Sequence, residues 1–220
     1  MKTKILALAQ IKGGCGKSTV SIHLAGHLCK TNSVLVIDGD FPQLSLTNWF
    51  NAGPQKENLQ LAQVNNAEEL LKAIDYYDGK VDYIVIDLAP RLADLTRAGI
   101  AVSNLTVVPV NTDLVEIWAL SQTLVLMKEA KEKLPDFEYY VLMNKFRDSN
   151  SNHVSMRNAI PVQFAEYGCR LLDSTLGNRS AFPLALGAGI TSQEVKPRNK
   201  KAIDEMSALL DEIIIKLERN

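Results

Sequence analysis

The chain has 220 residues, 46% of them hydrophobic and 22% charged, with 24 Lys plus Arg against 25 Asp plus Glu and a net charge of −1. That balance excludes disorder, a fibre and a globally basic protein, so contact with nucleic acid would need a local patch. Three scattered cysteines, Cys15, Cys29 and Cys169, form no disulfide or zinc pattern and fit a reducing cytoplasm, and no apolar stretch reaches the roughly 18 residues of a membrane span.

Ile5 to Ala9 reads as a strand buried on both faces, because its apolar character is continuous rather than alternating. A glycine-rich turn leads to a helix over Ser18 to Cys29 and a strand over Val34 to Ile37 that ends at Asp38. A weaker strand at Leu59 to Val64, a helix at Ala67 to Tyr76 and a strand at Tyr83 to Ile86 ending at Asp87 follow. Leu105 to Val110 is the next strand, and a long helix over Leu114 to Lys133 stops before Pro135. Tyr139 to Met143 is a further buried strand and Ser149 to Asn152 a polar loop. A helix over Ser155 to Tyr167, an irregular stretch including Arg179 to Ile190, and a C-terminal helix from Asn199 to Glu218 complete the chain. Strands alternating with helices predict one α/β domain over residues 1–220, a doubly wound, mostly parallel sheet with helices on both faces.

The strongest chemical signal is Lys12-Gly13-Gly14-Cys15-Gly16-Lys17-Ser18-Thr19, between a buried strand and a helix. Glycines let the backbone curl so that successive N–H groups face anionic oxygens, and the helix N-terminus adds its dipole. In such a phosphate-binding loop Lys17 reaches the β and γ phosphates, Ser18 offers a hydroxyl to Mg2+, and Thr19 meets the α phosphate. The general G-x-x-x-x-G-K-[ST] pattern fails at Ile11, and a second lysine stands at Lys12.

This string resembles the deviant Walker A motif of the ParA/MinD family of ATPases, closest to the small plasmid-partition ParA proteins, and the likeness extends over nearly the whole chain. The resemblance implies ATP and Mg2+ as cofactors, with Lys12 acting in trans on the nucleotide of a second subunit in an ATP-bound homodimer. Asp38-Gly39-Asp40-Phe41-Pro42-Gln43 matches the family's D-x-D-P-Q motif, interrupted by Phe41; it implies water positioning by Asp40 and a magnesium-shell or structural role for Asp38. Asp87 matches the Walker B aspartate, a magnesium ligand through water, and Leu88-Ala89-Pro90 the switch segment after it. Arg91 has an open role there. Asn144 matches a residue that pairs with the adenine edge. Gly13, Gly14, Cys15, Gly16, Lys17, Ser18 and Thr19 form the nucleotide loop, and Lys12, Lys17 and Asp40 the catalytic set.

Lys196-Pro197-Arg198-Asn199-Lys200-Lys201 is the densest basic cluster, suited either to solvation of a helix start or to sequence-independent contact with DNA phosphates. The resemblance favours DNA and adds Arg179 to the DNA-binding set with Lys196, Arg198, Lys200 and Lys201. It further implies a centromere-binding ParB-type partner and a nucleoid-associated protein in the cytoplasm, segregating plasmid or chromosomal DNA. A positioning ATPase for a protein cargo and a metabolic synthase with the same loop are the alternatives. His23 and His27 lack the companions of a zinc site. The acidic face of the last helix argues for docking on the core and against a membrane surface. With only a few residues before the first strand, no N-terminal helix-turn-helix is expected.

Overall fold

The structure is a computed structural model that describes residues 2–91 and 93–219. Among these, β1 (Lys4–Leu8), β2 (Val34–Gly39), β3 (Leu59–Gln63), β4 (Tyr83–Leu88), β5 (Leu105–Asn111), β6 (Glu138–Asn144) and β7 (Leu171–Leu176) pair in parallel, in the order β3-β2-β4-β1-β5-β6-β7. Successive side chains of a strand point to opposite faces. In β1, Leu6 and Leu8 enter one apolar cluster and Ile5 and Ala7 the other; in β2, Val34 and Val36 are divided from Leu35 and Ile37 in the same way. Both faces are covered, which is why these strands read as unbroken apolar runs.

One face carries α1 (Lys17–Leu28), α2 (Ser45–Ala52), α7 (Ala181–Gly187) and α8 (Lys200–Glu218). The other carries α3 (Ala67–Tyr77), α4 (Asp94–Val102), α5 (Leu114–Lys133) and α6 (Ser151–Gln163). The doubly wound parallel architecture expected from the sequence is thus present. Four elements were not anticipated: α2, α4, α7 and β7. The polar loop predicted at 149–152 is shorter, because Asn150 caps α6 by accepting a hydrogen bond from Asn152 N, and a short 3₁₀ turn, Ala165–Tyr167, follows the helix.

Register brings the chemistry to one edge. Asp38 of β2 lies beside Asp87 of β4, Leu8 of β1 beside Asp87, and Asn111 of β5 beside Asn144 of β6, all at the carboxyl ends of their strands. Ligands of open α/β sheets bind at that edge. On the outer side, β7 has its backbone capped from α8: Glu212 accepts from Asp173 N at 2.9 Å and Ser174 N at 2.8 Å. Trp49, fully buried on α2, donates its indole N–H to Ile190 O at 2.9 Å and ties α2 to the segment after α7. No helix among the described residues is long and apolar enough to cross a membrane.

Candidate functional site: a phosphate-loop cleft

The loop between β1 and α1 is shaped by two left-handed glycines, Gly14 at φ 75° and Gly16 at φ 106°, the latter at the N-cap of α1. Gly16 is required twice over, since a Cβ there would also stand 2.5 Å from Asn144 Nδ2. Amides from the ends of β5 and β6 hold the loop from below: Asn111 Nδ2 donates to Gly14 O at 3.3 Å and Asn144 Nδ2 to Cys15 O at 2.7 Å. Asn144 also lines the cleft, so it buttresses the loop as well as bordering the expected base site. Cys15 is turned inward, its Sγ against Lys12 O at 3.3 Å, and burial raises its thiol pKa. The nucleotide-loop expectation for Cys15 therefore concerns its backbone.

Above the loop opens a cleft of about 580 Å³ that gathers Gly13, Gly14, Gly16, Lys17, Ser18 and Thr19 with Asp40, Asn144 and Arg179. The Lys17 side chain is buried and points its Nζ to Lys12 O at 3.5 Å. Asp40 borders the cleft, its pKa raised by burial while the Lys17 ammonium pulls it down. Asp38 lies beneath, fully buried: Oδ1 accepts from Asp40 N at 3.1 Å, and Oδ2 from Thr47 N at 2.8 Å and Thr47 Oγ1 at 2.9 Å. Both oxygens accept from the loop and from α2, the contacts of the structural one of its two expected roles, and Asp38 is not among the residues lining the cleft.

Asp87 is different. It is fully buried, Oδ1 accepts from Ser21 Oγ at 3.3 Å, and Oδ2 has no partner. Burial pushes its pKa up to about 7, against the Ser18 hydroxyl and the Lys17 ammonium. An unpartnered buried carboxylate oxygen is costly. At the carboxyl end of β4 and next to the Ser18 hydroxyl, it fits a divalent cation that takes one or two protein oxygens and completes its shell from phosphate and water. The described residues hold no cluster of three or more His, Cys, Asp or Glu that would form an all-protein cage.

Lys12 leaves the cleft. Its Nζ pairs with Glu116 Oε1 at 2.8 Å, and that carboxylate, in the first turn of α5, is 4% exposed. Asn111 Nδ2 donates to the same oxygen at 3.2 Å, while Glu116 Oε2 is buried without a partner. No role was read for Glu116 or Asn111 in the sequence, because the partners that give them one, Lys12 and the Gly14 carbonyl, lie about a hundred residues away. Lys145, next to Asn144, also lines the cleft and holds a left-handed φ of 53°.

Arg179 stands apart from the other expected DNA-binding residues. It is in the cleft wall, bound through Nε (3.1 Å) and Nη2 to the Glu205 carboxylate of α8. It does not share the groove of the basic cluster, and its guanidinium is paired with Glu205. Lys196, Arg198, Lys200 and Lys201 are exposed, line a separate groove of about 390 Å³, and take part in no ion pair among the described residues.

A parallel sheet with a glycine loop, a buried loop lysine and two strand-end aspartates at one edge defines a P-loop nucleotide-binding protein. Residues 6–192 match the CobQ/CobB/MinD/ParA nucleotide binding domain, and the chain belongs to that family. It is similar to the maintenance of carboxysome distribution protein A of Halothiobacillus neapolitanus, 23% identical over 215 residues and 97% of each chain. It is also similar to the protein ParA of Rhizobium radiobacter, 25% identical over 205 residues and 91% of each chain. An ATP complex of a Cyanothece McdA variant superposes with a TM-score of 0.79 at 18% identity, covering 98% of this chain and 96% of that one. The ParA/MinD assignment suggested by the loop is thereby shown.

Proposed function

We propose that this chain is a Mg2+-dependent ATPase, acting as one domain over residues 1–220, that closes into a homodimer on ATP, binds DNA without sequence preference and releases it on hydrolysis. Its work is to segregate plasmid or chromosomal DNA through a centromere-binding ParB-type adaptor, in association with the nucleoid of the cytoplasm. The observation that carries the reading is the proximity of two features suited to phosphates: a phosphate-loop cleft and, across α7, a groove lined by four cations that form no ion pair among the described residues.

Lys17 and the loop amides orient the triphosphate, and Asn144 borders the base. Ser18 and, through water, Asp87 would hold the magnesium ion, which when bound neutralises phosphate charge. Asp40 positions the attacking water. Most of the rate effect is positioning and charge neutralisation, and turnover is slow because a switch needs a lifetime in its ATP state. Lys12 crosses to the second subunit's nucleotide once it leaves Glu116, so the observed ion pair is its resting position.

A protein cargo in place of DNA is the second reading, favoured by the likeness to a carboxysome-distribution protein over 97% of each chain. Affinity capture with ATP separates the two: a centromere-binding protein supports partition, a cargo-bound adaptor the alternative. The test of the switch itself is DNA retention titrated with salt, with ATP, ADP or no nucleotide. The parent is retained only with ATP, and Lys17→Ala and Lys12→Ala are not; equal retention in every state rejects the mechanism.

A further inference from the structure

The cleft and the basic groove share a wall. Phe182 and Pro183 of α7 face the cleft, while Ala181 and Leu184 of the same short helix face the groove. The segment entering α7 is fastened to α8 at one point: Glu205 accepts from Gly177 N at 3.0 Å and from Arg179 Nε at 3.1 Å, and its other oxygen takes Arg179 Nη2. Gly177, Asn178 and Arg179 all line the cleft. A little more than one helical turn before Glu205, the first turn of α8 presents Lys200 and Lys201 to the groove. The guanidinium lies close over Gly177, where a Cβ would stand 2.7 Å from it.

We infer that Glu205 is the positioning residue that couples the nucleotide cleft to the basic groove, by locking the cleft segment Gly177–Arg179 to the helix that carries Lys200 and Lys201. A two-point, charge-assisted grip of this kind transmits a shift of one wall to the other, whereas a single neutral hydrogen bond lets the segment slide. Glu205 touches neither ligand. The inference rests on the switch reading above and names its regulatory link.

Coupling between two sites is reciprocal, so ATP and DNA raise each other's affinity by one factor, roughly 5–150-fold in typical cases. The experiment measures that factor for the parent and Glu205→Gln. It uses fluorescence anisotropy of a random-sequence duplex with and without ATP, fluorescent ATP affinity with and without the duplex, and light scattering for dimer formation. Glu205→Gln still offers an oxygen to Gly177 N but loses the ionic fork. The expected result is dimer formation with ATP as in the parent, nucleotide-free DNA affinity as in the parent, and a coupling factor reduced at least fivefold in both directions.

An unchanged factor overturns the inference, as does loss of dimerisation, which makes the defect one of assembly. A parent whose DNA affinity ignores ATP rejects the switch reading instead. Should thermal melting show that Glu205→Gln does not fold, Arg179→Lys, which keeps the cation but not the fork, takes its place: a lowered factor supports the link and a parental factor overturns it.

Discussion

Glu116 buries a carboxylate whose one ion-pair partner among the described residues is Lys12, and the second lysine of the loop is thereby held on its own subunit. Because the lysine end is partly exposed, the pair contributes at most about 1 kcal/mol. Two such pairs open per dimer, so Glu116→Gln should lower the protein concentration for half-maximal ATP-dependent dimerisation by up to roughly 30-fold, measured by light scattering; a rise would mean that Glu116 assists closure. His23 gives a residue-scale prediction about stability. Its ring is buried between α1 and the segment after α7, with Nε2 accepting from Ser192 N at 2.9 Å and Nδ1 at 2.7 Å from Thr19 O, and burial lowers its pKa to about 4. The unfolded chain takes up the proton near pH 6.5 and the folded chain only near 4, so the stability due to neutral His23 is complete above 6.5 and is lost as pH falls toward 4. The loss is about 3 kcal/mol at 1.36 kcal/mol per unit. In urea titrations, the advantage of the parent over His23→Gln should shrink from pH 7 to pH 4; a constant gap contradicts this.

At the level of elements, the crossing of α2 with the turn after α7 is the tightest backbone approach described for this face. A Cβ on Gly53 would strike the backbone of Gly189, which itself holds a left-handed φ of 66°. Gly53→Ala should cost about 1–3 kcal/mol by overpacking, read as a lower urea midpoint with an unchanged slope. The central strands and α5, whose ends coincide with those predicted, were legible because burial on both faces leaves a continuous apolar signature and Pro135 marks a stop. β7 was not: its sequence Leu171-Leu-Asp-Ser-Thr-Leu176 buries only Leu172 and Leu176, and the carboxylate that caps its backbone comes from distant α8. The short α7 hides behind Pro183, which fits only because it lies in the first turn. For the site, the glycine loop and strand-end acids were readable from local spacing. The partners Lys12 and Glu116, or Arg179 and Glu205, meet only through the fold, and neither residue type announces its mate.

For the whole molecule, the near-zero net charge conceals an uneven surface, with Lys196, Arg198, Lys200 and Lys201 gathered in one groove. If these cations meet phosphates, replacing Lys200 and Lys201 together by Ala should reduce the slope of log affinity against log salt by about 2 per protomer, measured by anisotropy between low and moderate salt. An unchanged slope places the contact elsewhere. Trp118, 72% exposed two residues after Glu116 on α5, and the buried Trp49 give a built-in reporter of assembly. Closure of two subunits over the cleft should protect Trp118 from acrylamide with ATP and not with ADP. The carboxylates that cap β7 have a consequence of their own. With the amides of Asp173, Ser174 and Gly177 already occupied by Glu212 and Glu205, that margin cannot recruit a foreign strand at these positions. Any stacking of copies against this margin would have to proceed through helix faces and side chains, contacts that come apart more readily than an annealed sheet.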